Sequence, residues 1–198
     1  MTLSAMLLAG GRSRRMGREK ATLLIEGEPL WQRQLRVLQE LQPAELWVSA
    51  RAALPWCPPG IEVVLDTIPG CGPLSGVAAG LRRLQTSHLL VLAVDLPQMT
   101  AEHLSKLQSL TRPGQGVISR QGDYFEPLCA IYPGEAAAVA ESALASSKLS
   151  LQPFAQLLLG KSQAVAYDLT PAEQTLYFNM NTPADVPRII GHGSLNQA

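Results

Sequence analysis

The sequence predicts an α/β fold in three layers, built on a mostly parallel open sheet. Two observations carry that prediction. Short apolar runs of strand length alternate with stretches of helical spacing from the N-terminus to about Arg112, and such alternation implies right-handed crossovers between parallel strands. Two of the runs, Ile61-Glu62-Val63-Val64-Leu65 and Leu89-Leu90-Val91-Leu92-Ala93-Val94, are also nearly continuous, as parallel strands covered on both faces tend to be.

Taken in order, Ala5–Ala9 is the first strand, and it delivers the chain into Gly10 and Gly11. Trp31, Leu35, Leu38 and Leu41 mark one face of a helix that Pro29 opens and that ends before Pro43. Glu45–Ser49 and Ile61–Leu65 are the next two strands. Leu74, Val77, Ala78 and Leu81 mark a second helix, Leu74–Gln85. A strand at His88–Val94 follows, and then a helix marked by Leu104, Leu107 and Leu110. Beyond Arg112 the alternation fades. Strands at Gly116–Arg120 and Pro127–Tyr132 flank Gln121-Gly122-Asp123, which suits a hairpin turn. Helices are expected over Glu135–Ser146 and around Ser150–Leu159. A short strand at Leu176–Phe178 and a helix from Pro183, capped by Thr182, complete the expectation. Residues 1–190 read as one domain and residues 191–198 as a C-terminal tail.

The chain's 198 residues, 46% of them apolar and 16% charged, suffice for a single packed core. Lys and Arg number 16 and so do Asp and Glu, so a strongly basic nucleic-acid surface is not expected. Cys57, Cys71 and Cys129 are odd in number and lack a Cys-x-x-Cys pattern, which fits buried thiols in a reducing compartment. The N-terminal apolar run is too short for a signal peptide and precedes its positive charges. No stretch approaches the roughly 20 apolar residues of a membrane span. A cytoplasmic protein without nucleic-acid or membrane partners is the expectation.

The segment Leu8-Ala9-Gly10-Gly11-Arg12-Ser13-Arg14-Arg15-Met16-Gly17-Arg18-Glu19-Lys20 carries the chemistry. A strand that runs into glycines and then into four arginines and a lysine suits an anion. Backbone N–H groups of such a loop form a concavity for phosphate oxygens, and well-placed cations add charge-assisted bonds of about 1.5–3 kcal/mol each. Gly17 is followed by no Lys-Ser/Thr, so this is not a Walker A loop. The Gly-x-Gly-x-x-Gly dinucleotide fingerprint is absent as well.

Ligands of open α/β sheets bind outside the carboxyl ends of the strands. Polar residues gather where these strands stop: Asp66 after Ile61–Leu65, and Asp95 after His88–Val94. A carboxylate beside a polyphosphate loop is what Mg²⁺ requires, although either Asp also suits an ordinary turn or cap. Gly70-Cys71-Gly72-Pro73-Leu74-Ser75-Gly76 opens the second helix, whose N-terminus could face an anion or a nucleoside. Gly76 and Gly80 allow close approach by a base or by another backbone. Asn179 and Asn181 alternate along an extended segment and so share a side, where they could meet a ligand or satisfy a turn.

Together these segments resemble the MobA-type nucleotidyltransferases, the molybdenum cofactor guanylyltransferases. The resemblance lies in Leu8 to Lys20, Gly72-Pro73-Leu74-Ser75-Gly76, Asp95-Leu96-Pro97, Glu126-Pro127-Leu128 and Asn179-Met180-Asn181-Thr182-Pro183, in order from about residue 4 to 190. It implies a Rossmann-like fold of the nucleotide-diphospho-sugar transferase type. The implied reaction moves GMP from GTP to the phosphate of molybdopterin or Mo-molybdopterin, with Mg²⁺ as cofactor and pyrophosphate released. By that resemblance Leu8, Ala9, Gly10 and Gly11 contact the nucleotide, and Arg15 and Lys20 grip its phosphates. Asp66 lies in the nucleoside pocket, Asp95 holds the metal, and Asn179 and Asn181 line the phosphate or pterin side. Arg15, Lys20 and Asp95 are the implied catalytic residues, and cofactor-insertion proteins are implied transient partners. Two positions depart from the family pattern: Glu19 stands where Asp is common, and Ser49 where Asn is common after that strand. A related cytidylyltransferase, or a non-catalytic cofactor-binding paralogue, is the alternative.

Overall fold

The computed structural model describes residues 2–10, 20–66, 68, 70–180 and 185. β1 (Leu3–Leu8) leads through a small hairpin of β2 (Leu24–Ile25) and β3 (Glu28–Pro29) into α1 (Leu30–Glu40). There follow β4 (Glu45–Ala50), β5 (Glu62–Leu65), α2 (Pro73–Arg83), β6 (His88–Ala93), α3 (Ala101–Ser109), β7 (Gly116–Gln121) and β8 (Tyr124–Pro133). The described chain closes with α4 (Ala136–Ala145), α5 (Leu151–Gly160), β9 (Ala164–Asp168), α6 (Pro171–Gln174) and a 3₁₀ turn at Thr175–Tyr177.

A seven-stranded sheet in the order β5-β4-β1-β6-β8-β7-β9 forms the centre. β5, β4, β1 and β6 pair in parallel, as do β7 and β9, and β8 alone among the seven runs antiparallel to its neighbours. The expected mostly parallel sheet is therefore present. One face packs against α1 and α3 through Leu35, Leu38, Leu104 and Leu107. The other packs against α2, α4 and α5 through Leu74, Val77, Ala140 and Phe154. Six consecutive buried residues make β6 the centre of both layers, which accounts for its continuous apolar sequence.

The helices expected at Leu74–Gln85, Glu135–Ser146 and Ser150–Leu159 form within a residue or two of those bounds. Pro29, however, is the N-cap of α1 and not part of its first turn. Thr100 caps α3 by accepting from the backbone N–H of His103, which satisfies a donor the helix leaves open. The hairpin turn between β7 and β8 is Gly122-Asp123, with Gly122 at φ 58°, the positive angle that a two-residue turn demands.

Three expectations need correction. Leu176–Phe178 is not a strand, because Thr175–Tyr177 continues α6 as a 3₁₀ turn with Thr175 donating to the Ala172 carbonyl at 2.7 Å. Three apolar residues in a row carry too little periodicity to distinguish the two. Burial holds for the Cys129 thiol alone; Cys57 and Cys71 lie on loops and are half-exposed. β9 was not expected at all. It is an edge strand in which only Ala164 is buried, so its sequence lacks the apolar run of the inner strands. The helix expected from Pro183 and the tail 191–198 lie outside the described residues.

Candidate functional site

The carboxyl ends of β5, β4, β1 and β6 border a cavity of about 220 Å³. Leu8, Ala9 and Gly10 line its middle, Ser49, Arg51 and Asp66 one end, and Lys20, Val94 and Asp95 the other. The N-terminus of α2 closes one side with Gly72, Pro73 and Gly76, and Leu128 contributes from β8. Leu8, Ala9, Gly10, Lys20, Asp66 and Asp95 are thus brought together as the sequence led us to expect. Gly11, Arg15 and Asn181 lie outside the described residues.

The sheet ladder continues into this rim. Ala9 donates to the Ser49 carbonyl at 3.0 Å, Asp66 to that of Ala50 at 3.0 Å, and Val94 to that of Leu8 at 3.1 Å. The strand exits are consequently tied to one another, and the side chains they carry are held by backbone bonds.

At one end Lys20 Nζ lies 3.0 Å from Asp95 Oδ2, with both side chains largely buried. The Asp95-Leu96-Pro97 turn is gripped from α1. Gln34, fully buried, donates to the Leu96 carbonyl at 2.6 Å, and Arg33 Nε donates to that of Pro97 at 3.0 Å. Sequence reasoning missed both residues, although a glutamine beside Leu35 on the apolar face of α1 was a signal. Lys20 takes Oδ2 of Asp95; Oδ1 is the oxygen that could join a hydrated cation. Among the described residues no group of three or more His, Cys, Asp or Glu could hold a metal ion. A cation held at Asp95 would share its shell with ligand oxygens and water. Mg²⁺ suits that arrangement, since it usually takes one or two carboxylates together with phosphates.

At the other end Ser49 Oγ donates to Asp66 Oδ1 at 3.4 Å. Burial raises the Asp66 carboxyl above its usual range, and the charge of Arg51 and the Ser49 hydrogen bond only partly offset it. Gly76 presses on this pair: a Cβ there would lie 2.5 Å from Ser49 Oγ and 3.4 Å from Asp66 Oδ1. Gly80 instead meets Met6 and Leu89 in the core. Of the close approaches the two glycines permit, both are helix against sheet, and only that of Gly76 borders the cavity. Gly72 caps α2 at φ 67°, a conformation costly for any residue with a Cβ.

Leu128 reaches the cavity through an irregularity that the sequence did not reveal. Between the pairs Ile118↔Ala130 and Arg120↔Phe125, β7 advances by two residues and β8 by five. The segment Glu126-Pro127-Leu128 is the excess, bowed out of register. Burial raises the Glu126 carboxyl.

Asn179 does not line this cavity. It borders a second, shallower one of about 470 Å³ with Gln98, Gln121, Gln174 and Tyr177. Asp95 links the two, because the Met180 N–H donates to its carbonyl at 2.9 Å.

The geometry leads to the comparisons with known proteins. Residues 5–159 match the model of the MobA-like NTP transferase domain. The chain belongs to that family. A relative from Opitutus terrae that carries the name "Probable molybdenum cofactor guanylyltransferase" is 39% identical, over 94% of this chain and 94% of its own. The molybdenum cofactor guanylyltransferase of Rhizobium meliloti is 31% identical over 92% of this chain and 88% of its own. Among solved structures, molybdopterin-guanine dinucleotide biosynthesis protein A from Archaeoglobus fulgidus superposes with a TM-score of 0.73 at 25% identity, covering 96% of this chain and 98% of that one. The 4-diphosphocytidyl-2C-methyl-D-erythritol synthase of Anaerococcus prevotii reaches a TM-score of 0.72 at 14% identity, covering 98% of each chain. The sheet is thus that of the nucleotide-diphospho-sugar transferase type. Since a cytidylyl enzyme shares it, the fold does not select the base.

Proposed function

We propose that this MobA-like NTP transferase moves GMP from GTP to the phosphate of molybdopterin or Mo-molybdopterin and releases pyrophosphate. The observation that carries the reading is the cavity with its two unlike ends. The Lys20–Asp95 pair at one suits phosphates and a metal, and Ser49, Asp66 and Arg51 at the other suit a nucleoside. Relatives named as molybdenum cofactor guanylyltransferases over nearly the full length support the same base and acceptor.

In this reading the triphosphate lies along the strand ends, with its nucleoside at Asp66 and its phosphates at Gly10, Gly11, Arg15 and Lys20. Leu8 and Ala9 support it from beneath. Mg²⁺, held by Asp95 and the phosphate oxygens, would stabilise charge that builds on the phosphoryl oxygens and on the leaving pyrophosphate. Lys20 does the same as a fixed cation, and its salt bridge to Asp95 keeps it in place before substrate arrives. Attack comes from the acceptor phosphate, so no side chain serves as a nucleophile. Asn179, beside Asp95 but facing the second cavity, belongs with Asn181 to the acceptor side.

Residues 1–190 act as one nucleotidyltransferase domain, with 191–198 as a tail. No helix among the described residues is long and apolar enough to cross a membrane, and the reaction suits the cytoplasm. Cofactor-insertion proteins are the expected transient partners.

The test is pyrophosphate release from Mg²⁺, molybdopterin and GTP, CTP or ATP in turn. Release with GTP alone is the expected result. Release with CTP alone would leave the site standing and replace the base. Silence with all three, from folded protein and competent acceptor, would remove the enzymatic reading.

A further inference from the structure

The nucleoside end holds one charged side chain that the family pattern leaves unassigned. Arg51 follows β4 directly, two residues beyond Ser49, and both line the cavity. Its charge acts on the Asp66 carboxyl, which Ser49 contacts at 3.4 Å. A cationic fork and a carboxylate therefore share the end of the cavity remote from Lys20 and Asp95. Two strand spacings separate the end of β4, which Arg51 follows, from that of β6, which Asp95 follows, about 10 Å at the usual interval. A nucleotide whose phosphates lie at Lys20 thus presents its base, not its phosphates, to Arg51.

The chemistry of guanine matches the pair. Its O6 and N7 accept two parallel hydrogen bonds from an arginine fork, and its exocyclic amine donates. Adenine places an amine where guanine has O6, and cytosine has no N7 edge. We propose that Arg51 is a base-reading residue, whose guanidinium donates to O6 and N7 of guanine while Asp66, contacted by Ser49, accepts from N1–H and the 2-amine. Arg51 then supplies in this chain a contact that Ser49, shorter than the common Asn, does not reach. The assignment rests on the guanylyl reading and names the device behind its base choice.

The test is equilibrium binding of GTP, 7-deaza-GTP and CTP, with Mg²⁺, to the full chain and to its Arg51→Met and Arg51→Lys variants. 7-Deaza-GTP keeps every phosphate and replaces N7 by C–H. Arg51 is exposed, so the substitutions disturb no core packing. Wild-type protein is expected to bind GTP about tenfold more tightly than 7-deaza-GTP, a loss within the range of one bidentate contact. Arg51→Met should bind the two nucleotides equally, whereas Arg51→Lys, whose ammonium can still donate to N7 or O6, should keep part of the preference. If Arg51→Met weakens both nucleotides but keeps the preference, Arg51 meets phosphate and the assignment is overturned. Equal binding of the two nucleotides by wild-type protein overturns it as well, and in both cases the guanylyl reading survives. Wild-type protein that binds CTP but not GTP ends that reading and this assignment together.

Discussion

Lys20 Nζ sits 3.0 Å from Asp95 Oδ2, although the two residues are 75 apart in sequence. One follows the glycine-arginine segment and the other lies just beyond β6, so the pair joins that segment to the innermost strand. Removing either member takes away an opposite charge that a largely buried side chain faces. Lys20→Ala and Asp95→Ala are each expected to lower turnover by about 10²-fold or more, with the far-ultraviolet spectrum unchanged. Steady-state pyrophosphate release measures the effect, and near-normal rates in both variants would remove the pair from the mechanism.

Gly76 and Gly80 lie one turn apart on α2 and should respond differently to alanine. At Gly76 the new methyl group would crowd Ser49 Oγ at 2.5 Å and Leu8 Cδ2 at 3.1 Å. The Ser49 hydroxyl has to rotate away from Asp66, so Gly76→Ala should raise KM for the nucleotide several-fold. At Gly80 the methyl would meet Met6 Cε at 2.7 Å and Leu89 Cδ2 at 2.9 Å. That is overpacking of the core, with an expected cost of about 1–3 kcal/mol and an unchanged KM. Denaturant melts and nucleotide KM on the two variants should dissociate. Equal loss of stability with no KM change in either would show that Gly76 only packs.

The contrast between what was and was not legible has a physical origin. Asp66, Asp95 and Gly10 could be read because a strand end in a parallel sheet falls where its apolar run stops, and there function places polar or glycine residues. Gln34 was harder, since an amide on an apolar helix face looks like an interruption of the stripe until the carbonyl it grips is known. Leu128 was not readable. Its run has the composition of any buried strand, and although the Gly122-Asp123 turn marks the reversal of β8 against β7, the excess residues of β8 leave no mark in composition. β9 escaped for the opposite reason: at the sheet edge it needs little apolar surface.

The three thiols should react in an order set by burial. Cys129 is 1% exposed, and burial pushes its thiol up to about 12, leaving almost no thiolate at neutral pH. Cys57 is half-exposed, with its thiol raised by burial and its Sγ donating to the Ile61 carbonyl at 3.5 Å. Cys71 is half-exposed in the segment that opens α2. Iodoacetamide at pH 8 should label Cys71 first, Cys57 more slowly and Cys129 only after unfolding. Because Gly72 borders the cavity, saturating GTP should slow labelling of Cys71 but not of Cys57. Peptide mapping by mass spectrometry reads both effects, and fast labelling of Cys129 in folded protein would contradict the packing of β8.

Acid should destabilise the fold in two windows, through a cluster that ties α3 to the C-terminal elements. His103 Nε2 lies 2.8 Å from the Tyr177 hydroxyl, which donates to Ser119 Oγ at 2.6 Å. His103 Nδ1 lies 3.6 Å from Glu173 Oε1, and that oxygen also accepts from Lys106 at 2.8 Å and from Tyr167 at 2.7 Å. Burial lowers the His103 pKa from 6.5; Glu173 opposes the shift and Lys106 adds to it. The unfolded chain consequently binds a proton on this ring before the folded protein does. Stability rises with pH wherever the unfolded state holds more protons, so it should fall as pH drops below 6.5. Glu173 behaves as a held carboxylate. Burial pushes it up, but hydrogen bonds from Lys106, Thr170 and Tyr167 outweigh this and bring it from 4.5 down to about 2. Its contribution is present above 4.5 and should disappear between there and about pH 2. Melting temperatures taken from pH 7 to pH 3 should show both declines. His103→Gln should flatten the decline below pH 6.5 that the ring causes and leave the one below 4.5, whereas Glu173→Gln should flatten the latter. An unaltered pH profile in His103→Gln would mean that the ring takes up its proton as readily in the folded protein as in the unfolded chain.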